Sequence, residues 1–281
     1  TLNNSKATGD EKLKCGDTIK IFFSDETFEK FSADNNRAVN DDYYSRIYRP
    51  LDIIYENSDV IFINKPSGML SQKAKPEDVS LVEYLIAHLI HEKKINAGDL
   101  ASFKPGICNR LDRNTSGIVA AGKTTKGLQQ LSEAFKLRTL GKYYLCIVNG
   151  SIDKRALIKG YLHKDNKTNK VIISRTETKD SLPIETEYIP VCSNGNVTLL
   201  KIHLLTGRSH QIRAHLAGIS HPVLGDFKYG DKVFNEKYGE KRQLLHSYQV
   251  VFPKLDDFPD ISEKSFNTPY PVNFTKYFKE N

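Results

Sequence analysis

The stretch Asn109-Arg110-Leu111-Asp112-Arg113-Asn114-Thr115-Ser116-Gly117-Ile118-Val119-Ala120-Ala121-Gly122-Lys123-Thr124 admits two readings, and the choice between them sets the fold. Its second half, from Gly117 to Thr124, matches G-x-x-x-x-G-K-[ST], the pattern of a loop that cradles nucleotide phosphates. Such a loop follows a buried strand and exposes consecutive backbone N–H groups. Here the apolar run of residues 118–121 lies inside the pattern, and the residues before it are mostly polar. We therefore read 117–121 as a buried strand and 109–116 as the polar, turn-forming loop leading into it. That loop holds one carboxylate, Asp112, between the guanidinium groups of Arg110 and Arg113, which on residue types alone describes solvated surface.

Working outward, Leu128, Leu131, Ala134 and Phe135 mark an amphipathic helix that ends near Gly141. Residues 143–148 are apolar on both faces and predict a central strand. Further strands are expected at 170–174, 185–192, 197–205 and 245–252. A short helix is expected over 209–216, with Ser209 as N-cap, Gly218 as stop, Ile212 and Leu216 facing inward, and a basic outer face with His210 and Arg213 three residues apart. Upstream, Val60-Ile61-Phe62-Ile63 reads as a strand ended by Lys65-Pro66-Ser67-Gly68, and Ser80 with Glu83 has capping-box spacing for a helix reaching about Lys94. Strands outnumber helices and regular βαβα alternation is missing. The expected class is α+β, with a central mixed, largely antiparallel sheet.

Residues 13–23 alternate around a Gly-Asp turn like a hairpin strand, and 25–49 turn polar without a sustained period, so a domain boundary is placed there. The 281 residues, 39% hydrophobic and 27% charged, exclude collagen, a coiled-coil rod and bulk disorder. Forty-one Lys and Arg against 34 Asp and Glu give +7, a balance that favours polyanionic partners. No apolar run reaches membrane-spanning length, and the first residues lack the basic-then-apolar order of a secretory signal. Cys15, Cys108, Cys146 and Cys192 lie far apart, and His210 and His215 are wrongly spaced for a helical zinc pair; we expect buried thiols in a reducing cytoplasm and no metal.

Two long segments occur together: R-L-D-x-x-T-S-G within residues 109–124, and Thr206-Gly207-Arg208-Ser209-His210-Gln211-Ile212-Arg213-Ala214-His215-Leu216. The pair resembles the signature and the later basic motif of the RluA family of RNA pseudouridine synthases. Lys142-Tyr143-Tyr144-Leu145 is similar to that family's K-x-Y strand. Lys65-Pro66-Ser67-Gly68, the His221 to Asp226 segment and Leu245-His246-Ser247 fall in the family's order, so the resemblance runs from about residue 51 to 252. It implies a pseudouridine synthase fold, a sheet flanked by helices and loops with a central active-site cleft, over residues 51–281. Residues 25–50 would be a linker, and 1–24 look like the closing part of an S4-like RNA-binding domain whose larger part is missing from the chain. Asn109 departs from the pattern, since many members carry His there.

The implied activity is isomerisation of a uridine in structured RNA, 23S ribosomal RNA first and transfer RNA as the alternative, by a cytoplasmic monomer. Breaking the C–N glycosidic bond and rejoining the base through carbon exchanges no electrons and transfers no external group, so no cofactor is expected. It needs a positioned carboxylate, a proton-handling group and a pocket for an extruded base. By resemblance Asp112 is the carboxylate, and attack at base C6, attack at ribose C1′ and elimination through a glycal would all use it. A nucleophilic carboxylate must stay ionised, which an opposed guanidinium favours; Arg213 is the candidate and Arg208 the fallback. Tyr144 would lie under the uracil ring. Arg110 would insert where the uridine leaves its stack, with Arg208, His210 and Lys65 also contacting RNA or substrate. The competing classes are a non-catalytic RNA-binding protein, in which Asp112 would be needless, and a nucleotide hydrolase built on 117–124.

Overall fold

The computed structural model describes residues 1–22, 24–27, 41–165, 168, 170–256 and 258–278, and the chain divides into two compact units, Thr1–Asp42 and Tyr43–Asn281. In the first unit the expected turn is present: Gly16 has φ +95° and the Asp17 N–H donates to the Lys14 carbonyl at 3.1 Å. The strand expected over 13–23 is not a ladder among the described residues. Ile19 makes a single bridge, to Leu2, because the short segment at residues 1–5 offers no longer edge to pair with. Phe23 and residues 28–40 of the expected linker lie outside the described residues. Helix α1 (Asp41–Ile47) occupies part of the stretch read as aperiodic.

In the second unit, strands β1 (Ile53–Glu56), β2 (Val60–Lys65), β3 (Gly106–Ile107), β4 (Ser116–Gly122), β5 (Gly141–Asn149), β6 (Ala156–Asp165), β7 (Lys170–Ser174), β8 (Leu182–Ser193), β9 (Val197–Leu204), β10 (Leu245–Val251) and β11 (Ser265–Asn267) form one sheet. Its order is β1-β2-β4-β10-β5-β9-β8-β6-β7, with β3 on β4 and β11 on β10. Every pairing is antiparallel except β4 with β10. The sheet is therefore mixed and largely antiparallel, as expected.

Alternation along β2 and β4 explains the layers. Ile61, Ile63, Val119 and Ala121 point to one face, under Leu81, Leu85 and Leu89 of α2 (Leu81–His91) and Ile212 and Leu216 of α4 (Gln211–Gly218). Val60, Phe62, Ile118 and Ala120 point to the other, under Leu131 and Ala134 of α3 (Thr125–Leu137) and the aromatic cluster of Phe252, Phe258 and Phe266. Strands covered on both faces read as continuous apolar runs, which is why β2, β4 and β5 were visible in the sequence. The Glu83 carboxylate accepts the Ser80 N–H at 3.0 Å and its hydroxyl at 2.7 Å, fixing the start of α2. Two short helices follow, α5 (Lys232–Lys237) and α6 (Val272–Thr275). Among the described residues no helix is long and apolar enough to cross a membrane. Cys146 is buried and Cys108 partly so, but Cys15 and Cys192 are exposed, against the expectation of buried thiols.

Every letter of the apparent phosphate loop has a structural occupation. Gly117 sits at φ +107° where a Cβ would lie 2.1 Å from the Ser247 carbonyl oxygen, so glycine is required for β4 to run beside β10. A Cβ on Gly122 would meet the Leu128 backbone at 2.4 Å. Lys123 Nζ pairs with Glu56 at 2.7 Å. Thr124 caps α3, its hydroxyl accepting the Gly127 N–H at 3.1 Å and donating to Asp59 at 2.5 Å. No lysine or hydroxyl is left for a nucleotide phosphate, and the hydrolase reading fails.

Two buried histidines make the fold acid-sensitive. His215 bonds Thr186 Oγ1 at 3.0 Å, and His246 lies between Ser116 Oγ at 2.8 Å and Thr268 Oγ1 at 2.5 Å. Burial pushes both down to about 4 from the usual 6.5. The unfolded chain then binds more protons than the folded one between these values, so stability is full above pH 6.5 and declines as pH falls to about 4. The decline is up to about 3 kcal/mol per histidine. Urea unfolding at pH 7 and pH 4.5 measures it, and a His246→Asn variant should show the smaller pH dependence; an equal drop in both proteins would refute the assignment.

Candidate active site

The loop between β3 and β4 is held at both ends by side chains that grip its backbone. At the start, the Asn109 amide donates to the Ile118 carbonyl at 3.1 Å and its oxygen accepts the Ala120 N–H at 2.8 Å, so the residue that departs from the family pattern anchors the loop to β4. In the middle, the buried Ser71 hydroxyl donates to the Leu111 carbonyl at 2.8 Å and accepts the Leu111 N–H at 3.0 Å. At the end, Thr115 N–H bonds the Asp112 carbonyl at 3.0 Å, and Gln243 donates to Thr115 Oγ1 at 3.1 Å.

Lys65 completes this support. Its side chain is wholly buried, and Nζ donates to the carbonyls of Met69 at 2.8 Å, Pro66 at 3.1 Å and Arg113 at 3.2 Å. Burial lowers its pKa to about 8, against the opposing charge of Asp112. The expectation that Lys65 contacts RNA is corrected: all three ammonium hydrogens are used on backbone, and the residue braces the loop from beneath.

The Asp112 side chain is a quarter exposed and opens into a cleft of about 840 Å³ lined also by Arg110, Tyr144, Arg208, His210 and Arg213. Arg213 Nη1 donates to Asp112 Oδ2 at 2.6 Å. The rest of the Arg213 guanidinium is clamped by Asp226, through Nε to Oδ2 at 2.7 Å and Nη2 to Oδ1 at 2.9 Å. Asp226, almost fully buried, also accepts the N–H groups of Lys228 at 2.9 Å and Tyr229 at 3.1 Å. Burial alone would raise the Asp226 pKa, but these donors hold it below the ordinary range. Burial likewise opposes the Arg213 charge, and the two carboxylates overcome it and raise the pKa.

The start of α4 differs from the expected cap. Ser209 is exposed, His210 takes the N-cap position at φ +55°, and the Gln211 side chain accepts the Arg208 N–H at 3.1 Å and the Thr206 hydroxyl at 2.9 Å. Nor is the basic face outward, since Arg213 is buried. The left-handed turn brings His210 Nε2 to 3.8 Å from Asp112 Oδ1, while Nδ1 meets the Tyr229 hydroxyl at 2.8 Å. Tyr229 oxygen already accepts the Val171 N–H at 2.9 Å. Burial lowers the His210 pKa, with Asp112 opposing.

On β5, Tyr144 faces the cleft and Tyr143 the other side, stacked on His203 with centroids 4.6 Å apart. Burial pushes the Tyr144 phenol up to about 12, with a Ser247 hydrogen bond opposing and the Asp112 charge adding to it, so it is protonated at neutral pH. Arg110 is exposed at the cleft and reaches Gln72 at only 3.5 Å, leaving its guanidinium largely available. Asp226 and Tyr229 were not singled out as site residues from the sequence. In the sequence Asp226 only closes a segment in the family's order, and no spacing rule ties it to Arg213.

Against known proteins, residues 59–218 match the family model described as RNA pseudouridylate synthase. A Mycoplasma genitalium protein described as an uncharacterized RNA pseudouridine synthase is 33% identical over 274 residues, covering 94% of this chain and 81% of its own. Ribosomal large subunit pseudouridine synthase D of Borreliella burgdorferi is 31% identical over 272 residues, covering 96% of this chain and 79% of its own. Among solved structures, human RNA pseudouridylate synthase domain containing 1 superposes with TM-score 0.63 at 23% identity, covering 79% of this chain and 84% of that one, and shares the fold. With the matched segment spanning β2 to α4 and including the loop that carries Asp112, the chain belongs to the RNA pseudouridylate synthase family.

Proposed function

We propose that this chain converts a uridine of ribosomal large subunit RNA to pseudouridine, with Asp112 as the attacking carboxylate. The observation that carries the reading is the Arg213 to Asp112 contact at 2.6 Å in a cleft of base-accommodating size. A guanidinium so placed aims the carboxylate through a charge-assisted hydrogen bond. Tyr144 supplies a flat support for the uracil and a protonated phenol within its reach. Arg110 takes the place vacated by the extruded nucleotide, and Arg208 and His210 contact the RNA or the uridine. The large-subunit substrate is argued from relatives named for it, including the Borreliella burgdorferi protein and synthase C of Haemophilus influenzae. We read residues 1–24 as the closing part of an S4-like module, 25–50 as a linker and 51–281 as the catalytic domain, acting as a cytoplasmic monomer on a large folded RNA.

Mapping pseudouridines in total RNA from cells with and without the protein tests the reading. One or more sites in large subunit RNA should disappear. A loss confined to transfer RNA would replace the substrate, and no loss would overturn the activity. Tyr144→Phe keeps the ring but removes the phenolic proton, so kcat should fall by about 10²- to 10⁴-fold with KM little changed. An unchanged kcat would confine Tyr144 to packing.

A further inference from the structure

One end of the cleft carries positive charge that no acid among the described residues answers. Lys142, Arg208 and Arg138 all line it. Lys142 lies two residues before Tyr144 on β5, so the two side chains share a face about 7 Å apart. Its Nζ abuts Gly207, 3.3 Å from where a Cβ would stand, which brings it to the loop that carries Arg208. Arg208 Nε is buried and has no hydrogen-bond partner. Arg138 is the exposed residue that ends α3 in a left-handed turn at φ +57°. Among the described residues no carboxylate pairs with any of the three. Asp112 is the one acid lining the cleft, and Arg213 holds it.

Three cations gathered without a counter-charge repel one another. Burial first, and then the charge of Arg138, lowers the pKa of both Lys142 and Arg208. An orphaned buried guanidinium N–H is costly to keep unless a ligand satisfies it. The ligand must be anionic, offer several acceptor oxygens and lie one nucleotide's breadth from a base resting on Tyr144. A phosphodiester meets all three conditions.

We propose that Lys142, Arg208 and Arg138 form a phosphate subsite that receives the RNA backbone phosphate adjoining the uridine held over Tyr144. The proposal rests on the uridine-binding reading above and extends it: the substrate is selected as a strand, by backbone charge at this end of the cleft, before any base is read.

The test is fluorescence anisotropy of a 5′-labelled 12-nucleotide oligouridylate from 50 to 300 mM KCl. Each phosphate contact on a single strand contributes about 0.7 to the slope of log affinity against log salt. Arg138→Ala and Lys142→Met should each weaken binding about fivefold at the lowest salt and reduce the slope by about 0.7. Lys232→Gln, a charge change on exposed α5, should leave both unchanged. Arg138 is exposed, so its variant folds even if Lys142→Met does not. Slopes equal to wild type in Arg138→Ala and in any folded Lys142→Met protein, or a wild type without salt-dependent binding, would overturn the subsite. The result is independent of the pseudouridine map: altered slopes with no lost pseudouridine would retain the phosphate site and dismiss the isomerase reading.

Discussion

Asp112→Asn is expected to abolish pseudouridine formation, by at least about 10⁴-fold, while leaving the fold and the affinity for RNA nearly intact. The substitution keeps size and shape but replaces the carboxylate proposed to attack by an amide that cannot. Its effect on stability is small for a geometric reason. The loop is held by Asn109, Ser71, Lys65 and Gln243 through its backbone and Thr115, none of which bonds the Asp112 side chain. The side chain is itself a quarter exposed, and Arg213 retains its two bonds to Asp226 when Asp112 changes. Circular dichroism melting, oligouridylate binding and chemical detection of pseudouridine in the RNA site found by mapping measure the three quantities. Retained conversion would end the assignment of Asp112 as nucleophile, and lost conversion with a collapsed melting temperature would reduce the residue to a structural role.

The legible part of this protein is the part whose burial is decided locally. β2, β4 and β5 announce themselves because both their faces are covered, and the α2 start because Ser80 and Glu83 are three residues apart. β6 was missed: its inward positions Ala156, Ile158, Gly160 and Leu162 alternate with outward ones, but Gly160 interrupts the apolar series and Leu157 stands on the exposed face, which blurs the pattern. In the site, Asp112 and Arg213 are 101 residues apart, and family resemblance, not spacing, suggested their meeting. Lys65 shows the opposite failure. A lysine before Pro-Ser-Gly looks like surface, and its burial depends on three carbonyls that converge only after the 66–69 and 109–115 segments close on each other. Gly117 to Thr124 matched a motif letter for letter because tight strand packing and helix capping call for the same residue types as a phosphate cradle.

The second large effect falls on Arg213, where the structure reverses a sequence expectation. Read as part of a basic outer helix face, Arg213→Ala should cost activity more than folding. Observed, it is a buried guanidinium between two carboxylates, and its removal leaves Asp226, about 1% exposed, with its two backbone donors but without the guanidinium that clamped both its oxygens. Breaking a buried pair from one side costs about 3–5 kcal/mol, because the orphaned charge remains in low dielectric. Arg213→Ala should therefore both lose conversion by at least about 10³-fold and lower the unfolding free energy by that amount. Two further variants separate the roles. Arg213→Ala/Asp226→Ala removes the orphan and should recover part of the stability but none of the activity, since Asp112 still lacks its partner. Arg213→Lys supplies a point charge without the fork that spans both acids, so it should recover some stability and little activity. Equal stability losses in the single Arg213→Ala and the double variant would show that packing, not the unpaired Asp226, sets the cost. Full activity in Arg213→Lys would show that charge near Asp112 suffices, and that the clamp from Asp226 orients nothing the reaction needs.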